Sequence, residues 1–250
     1  MLKAAIIAFS TYSVIPMPRF SWDKAGMRYS LCFFPFIGVV IGVGSMLCFH
    51  IVTALTPNIA VVAMLLTVLP VLISGGIHMD GFLDTVDAKH SYQPSDVKLR
   101  ILSDPHVGAF AVIYGILYIV VQFGLFHEVQ GSEMPYIALG YVYSRTLSGL
   151  SVVTLQKAKK EGMAAVTAES ADKHVKGILS IELILCMVLY VMLNPFMGFV
   201  CIAIGLLCFG YYRHMAYHLF GGITGDLAGW FLQMCELVLL IGIVIVTRLS

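Results

Sequence analysis

The chain is dominated by apolar blocks long enough to cross the hydrocarbon core of a bilayer, which takes about 20 helical residues. Seven candidate spans stand out, at 31–55, 59–74, 107–126, 136–155, 178–193, 196–212 and 228–246. A backbone in lipid must satisfy its own hydrogen bonds, and blocks of this kind do so as helices. The expected fold is therefore all-α, a polytopic integral membrane helical bundle in one catalytic domain, 1–250. About seven transmembrane helices are predicted, or six if one of the short fifth and sixth segments lies tilted or at the interface. Composition agrees, since 59% of the 250 residues are hydrophobic and 12% charged, against roughly 25% charged in soluble domains.

The opening stretch, with Lys3 ahead of a short apolar run and no convincing small-x-small cleavage site, reads as a retained interfacial segment. Pro16 and Pro18 stop any helix before the first span. Asn194-Pro195 leaves almost no loop between the fifth and sixth spans, which predicts a tight helical hairpin. The six cysteines all lie in apolar stretches without C-x-x-C spacing, so neither disulfides nor a soft-metal site is implied. Lys and Arg favour the cytoplasmic side of short loops. Here they gather before the first span, between the second and third, between the fourth and fifth, and after the sixth, leaving only Arg145 and Arg248 as exceptions. The expectation is a multi-pass protein of the cytoplasmic (inner) membrane.

On the same predicted cytoplasmic side lies "GGIHMDGFLDTVDAK", residues 75–89. Asp80, Asp84 and Asp87 are spaced i, i+4, i+7, which at about 100° per residue confines them to an arc of roughly 60° on one helical face. Like charges so placed repel one another. Either a hard divalent cation such as Mg²⁺ compensates them, or they form a solvated face countered by Lys89, Lys98 and Arg100. Gly75, Gly76 and Gly81 would permit close backbone approach to a ligand. Downstream, Asp104 suits either the cap of the third span, with Pro105 following, or a fourth metal ligand. A second patch, "GGITGDLAGW", repeats the frame G-G-I-x-x-D with Asp226 in the place of Asp80, so both carboxylates could face one site. Arg145 is open to two roles, phosphate binding or pairing with Glu236 or Glu182, because intramembrane charges face protein or water. The basic loop 155–165 is a positive-inside signal that would also suit an anionic substrate.

The ordered set G-G-x-H-x-D-G-x-x-D-T-x-D at 75–87, D-x-x-x-G at 104–108, Ser144-Arg145, a basic-Glu-Gly loop at 160–162 and G-G-x-T-G-D at 221–226 resembles the cobalamin synthase family. These are membrane-bound adenosylcobinamide-GDP ribazoletransferases, and the likeness runs over nearly the whole chain. It implies transfer of the GDP-activated phosphate of adenosylcobinamide to the ribose hydroxyl of α-ribazole or its 5′-phosphate, with release of GMP and assistance by Mg²⁺. Asp80, Asp84, Asp87 and Asp104 are then the expected metal ligands. Asp226 is a further ligand or the acceptor of the ribose proton, and His78 is a second candidate base. Arg145, Lys160 and His106, the last standing where arginine is common, are expected at the substrate phosphates, with Gly76, Gly81, Gly222 and Gly225 allowing close approach. The lipid bilayer is the expected surrounding, no nucleic-acid partner is expected, and homo-oligomerisation is left open.

Two other classes of membrane protein place acids in comparable positions. A CDP-alcohol phosphatidyltransferase also places spaced aspartates at a membrane face, but its D-G-x-x-A-R is absent, since positions 84 and 85 are Asp and Thr. A cation transporter would carry its acids near the midplane.

Overall fold

The computed structural model describes residues 1–18, 24–159 and 161–249. Among them the chain forms twelve α-helices and no strand. They are α1 (Leu2–Tyr12), α2 (Lys24–Met27), α3 (Phe34–Leu55), α4 (Ile59–Ser74), α5 (Ile77–His90) and α6 (Ser95–Ile101). There follow α7 (Ala109–Glu128), α8 (Met134–Thr154), α9 (Met163–Ser170), α10 (Val175–Leu193), α11 (Pro195–Phe220) and α12 (Gly225–Leu249).

The helix boundaries follow from local chemistry. Prolines occupy the first turn of α3, α8 and α11, where the missing N–H costs nothing. The Asn58 side chain accepts from the Ala60 N–H at the start of α4 (3.1 Å). Asn194 is the single residue between α10 and α11, and its side chain accepts from the Met197 N–H (3.0 Å). The expected tight hairpin is therefore present. Gly198 lets its two arms touch, since a Cβ there would run into the Tyr190 and Val191 backbone.

Five helices among the described residues are long and apolar enough to cross a membrane: the Ser30–Leu55 stretch containing α3, then α7, α10, α11 and α12. A sixth is reached if α4 and α5, bent by 95° at Gly75-Gly76, count as one broken span. Of the expected seven or six spans, five or six thus meet both the length and the apolarity of a membrane crossing, and α8 is the candidate that does not. The physical reason lies in α8, which has the length but not the apolarity. It packs between α3, α10 and α12, and a helix wrapped by protein can carry serines, threonines and an arginine that lipid would reject. By contrast α7 and α10 are only 22% buried along their apolar windows, against 67% for α12. Val39, Val43, Leu47 and Ile51 make an exposed stripe along α3 at four-residue spacing, as a lipid-facing surface requires.

The two most extensive packings that bear on function are α3 with α8 and α5 with α12. In the first, a Cβ on Gly38 would enter the backbone of Tyr141 and Val142, and one on Gly42 that of Ala138. At one end of the bundle Arg248 bonds Glu133 (2.9 Å), which neutralises the basic residue at the C-terminal end of α12. At the other end the N-terminal segment is tied down twice. The Val14 N–H donates to the Ile73 carbonyl (2.9 Å), and Arg28 pairs with Asp172 (2.6 Å) in the α9–α10 turn. The His174 backbone N–H and ring, with Arg28, hold the Asp172 carboxyl down at about 2.

Because the α3–α8 contact is backbone on backbone at Gly38, Gly38→Ala should lower the thermal midpoint in detergent, overpacking typically costing about 1–3 kcal/mol. Gly44→Ala, whose Cβ meets only side-chain ends at 3.6 and 3.7 Å, should leave the midpoint unchanged or raise it. Equal midpoints for the two variants would contradict this packing.

Candidate functional site

Both G-G-I-x-x-D frames open with a left-handed glycine that ends a helix, but the first passes directly into α5 whereas the second runs through an extended Ile223-Thr224 before α12. Gly75 (φ 66°) closes α4, its N–H donating to Leu72 while the Gly76 N–H reaches Val71. Gly221 (φ 74°) closes α11 by donating to Tyr217 while the Gly222 N–H reaches Ala216. Left-handed residues of this kind are glycine's usual role at helix ends. Each pair then releases the chain into a new helix, α5 or α12, with its aspartate in the first turn.

These two helices cross at van der Waals distance. A Cβ on Gly81 would lie 2.8 Å from the Asp226 carbonyl oxygen, and one on Gly229 would lie 3.2 Å from that of His78. Small residues of this kind let membrane helices touch through their backbones, whereas a Cβ on Gly225 would meet open space. The crossing brings the α5 acids to Asp226: Asp84 lies within electrostatic reach of Asp80, Asp226 and Asp87. Asp80 is exposed, whereas Asp84 and Asp87 are half-buried.

Two cavities meet at Asp226. One, of about 190 Å³, is bounded by Tyr12, Leu31, Phe34, His78, Asp80, Ser148 and Val152 among others. The other, of about 480 Å³, is bounded by Ser103, Lys157, Lys159, Glu161 and Thr224. Met163, Ala164, Gly225 and Asp226 line both. The basic loop is strapped over the second glycine pair by an isolated parallel bridge between Lys157 and Ile223. The Ala158 N–H donates to Ile223 (2.9 Å), and the Ile223 N–H donates to Gln156 (2.8 Å). Gly222 is required there, because a Cβ would sit 2.7 Å from both the Ala158 nitrogen and the Gln156 oxygen. Lys159 donates to Ser103 (2.6 Å) and lies within electrostatic reach of Asp226.

The predicted site residues therefore divide. His78, Asp80, Asp84, Asp226, Gly81 and Gly225 converge, and Gly76 (φ 79°) shapes the break that starts α5. Asp87 also has a local duty: its Oδ1 accepts from the Ala111 N–H (3.1 Å) at the start of α7. The expected cap, Asp104, is not the one used, since Gly108 stands at the cap position and Asp87 supplies the oxygen from another helix. Asp104 instead accepts from the His106 backbone N–H (3.0 Å) and ring (2.6 Å), which hold its carboxyl below the usual range. Both residues are exposed.

Arg145 lines neither cavity. It is 1% exposed and donates to Glu236 (2.7 Å) and to the Tyr141 carbonyl (2.9 Å), with Ser144 on the same carboxylate (2.9 Å). Of its two roles in the sequence reading, the pairing with Glu236 is the one realised. Lys160 lies outside the described residues. Lys157 and Lys159 were missed as individual residues, although their i, i+2 spacing in an extended segment puts them on one face. Among the described residues no group of three or more His, Cys, Asp or Glu side chains is arranged to hold a metal ion by itself.

The sequence pattern described as cobalamin-5-phosphate synthase matches residues 4–244. The chain is 44% identical to the adenosylcobinamide-GDP ribazoletransferase of Lachnoclostridium phytofermentans, over 98% of this chain and 94% of the relative. It is 32% identical to that of Clostridium perfringens, over 97% and 98%. It is 27% identical to that of Desulfitobacterium hafniense, over 94% of each. No solved structure matches.

Two substitutions test the geometry. Asp87→Ala should cost about 1 kcal/mol through loss of the α7 cap, and Asp87→Asn, which keeps the accepting oxygen, should cost little. Equal losses in a thermal scan would show that charge rather than capping matters. Arg145→Met alone strands Glu236 in the interior and should cost about 3–5 kcal/mol, whereas Arg145→Met with Glu236→Leu should recover most of it. A double variant as unstable as the single one would remove the pair from the folding argument.

Proposed function

The chain belongs to the cobalamin-5-phosphate synthase family, and from that premise we propose that it transfers the GDP-activated phosphate of adenosylcobinamide to the ribose hydroxyl of α-ribazole or α-ribazole 5′-phosphate. The observation that carries this reading is the placement of Asp80 and Asp226, from two different helices, where a charged cavity that contains Lys157 and Lys159 adjoins a largely apolar one. A transferase with one anionic substrate and one largely apolar one needs this pairing of environments.

In this reading Lys157 and Lys159 attract and orient the diphosphate of the donor. The ribose oxygen bonds to the phosphorus attached to cobinamide, the bond from that phosphorus to the bridging oxygen breaks, and GMP leaves with the bond electrons. Asp226 accepts the ribose proton, because it is the carboxylate that lines both cavities. His78 is left free of that duty. Asp80 and Asp84, one helical turn apart on α5, with Asp226 opposite, fit Mg²⁺. That ion commonly takes one or two carboxylates and completes its shell with water and substrate phosphates, so a closed cage of three side chains is not needed. When bound it would neutralise charge on the transferring and leaving phosphate oxygens. Asp104 and His106 belong to the rim, next to Ser103.

The end of the bundle that carries the site is assigned to the cytoplasm, since Lys157, Lys159 and Arg213 all lie there. Purified protein in lipid, given adenosylcobinamide-GDP, α-ribazole and Mg²⁺, should release GMP and form a cobalamin product. Asp226→Asn and Asp80→Asn should lower kcat at least about 100-fold, the lower range for losing an acid–base group, and Asp104→Asn only a few-fold. Wild-type turnover by Asp226→Asn would remove it as the proton acceptor. Labelling of a cysteine at exposed position 92 from outside intact cells would reverse the orientation.

A further inference from the structure

His78 is 5% exposed, and its Nε2 has no hydrogen-bond partner in the protein. Leaving a buried polar atom unsatisfied is costly, so such an atom on a cavity wall calls for a ligand. Its ring packs against two others that touch each other at 4.6 Å, with Tyr12 near-parallel at 6.1 Å and 20° and Phe34 edge-on at 5.6 Å and 61°. Together they line the cavity of about 190 Å³. That space has room for two fused aromatic rings. Its polar side is formed by Asp80, Ser148 and Asp226, next to the basic cavity.

We propose that this cavity is the acceptor pocket, taking the planar aromatic base of the nucleoside against the ring cluster of Tyr12, Phe34 and His78, with His78 Nε2 hydrogen-bonded to the base. The assignment rests on the transfer reading above. The ribose then points toward Asp226, which brings the attacking hydroxyl to the wall shared with the donor's cavity. The reverse arrangement fails on chemistry, because Lys157, Lys159 and Glu161 around the larger cavity offer charge and no aromatic surface. His78 is thus a positioning and specificity residue rather than a base.

The test is binding, measured by calorimetry on the full chain in lipid nanodiscs with Mg²⁺ and no donor, using α-ribazole as one probe and GDP as the other. His78→Phe keeps the ring stack and removes the polar atom, so it should weaken α-ribazole about tenfold, as expected for one lost hydrogen bond, and leave GDP unchanged. Tyr12→Leu should weaken α-ribazole and leave GDP unchanged while Tyr12→Phe weakens neither. A general loss of structure in Tyr12→Leu would instead weaken both probes and erase this split. No α-ribazole binding by the wild type, wild-type affinity in both His78→Phe and Tyr12→Leu, or parallel loss of α-ribazole and GDP would overturn the assignment. Failure of the two readings is separable: normal GMP release without the split sinks only the pocket, and the split without GMP release sinks only the reaction.

Discussion

The site depends on one contact, the backbone-to-backbone crossing of α5 over α12. A transmembrane helix gains nothing from the hydrophobic effect when it meets another, because lipid is as apolar as leucine, so close approach and many small attractions must hold the pair. Gly81 against Asp226 and Gly229 against His78 supply that approach. The same contact fixes the chemistry. With a side chain at Gly81 the helices would stand apart, and Asp226 would no longer sit opposite Asp80 and Asp84. The break at Gly75-Gly76 is its prerequisite, since only a chain turned by 95° can present α5 to α12 while α4 continues to pack against α3 and α7.

Charge is then distributed in layers. Carboxylates collect at the crossing, cations arrive on a separately built loop, and the loop is attached through Gly222 to the turn that precedes Asp226. Because α12 begins and the Lys157–Ile223 bridge closes within a few residues, the acid and its nearest cations are held to the same turn. Arg145 shows the opposite use of charge. Paired with Glu236 and bonded to Tyr141, it is spent inside the bundle, where the alternative is an uncompensated ion in a low-dielectric medium.

Much of this is legible in the sequence, and the boundary between legible and hidden has a physical origin. Helicity, the hairpin at Asn194, the shared face of Asp80, Asp84 and Asp87, and the pairing of the two G-G-I-x-x-D frames depend on local periodicity and punctuation, which a linear reading captures. What fails is whatever depends on a partner far along the chain. Asp104 precedes α7 and looks like its cap, yet the oxygen comes from Asp87, across a helix packing that no local rule contains. The span count blurs at α8 for a related reason: apolarity reports what lipid touches, and α8 is touched by protein.

The position of the N-terminal segment is the least legible feature and changes the character of the site. An apolar eleven-residue helix followed by prolines reads as an interfacial anchor, which needs no particular partner. In the structure the segment is fixed to the C-terminal end of α4 through Val14 and Ile73, just before the glycine break, and Tyr12 is thereby brought to 6.1 Å from His78. Gly75 shares in this, since a Cβ there would lie 2.7 Å from the Val14 side chain. The smaller cavity therefore has a wall that the membrane-crossing helices do not provide. The consequence is a division of labour: the spans set the distance between the carboxylates, and the surface elements, α1 on one side and the 155–159 segment on the other, decide what those carboxylates meet.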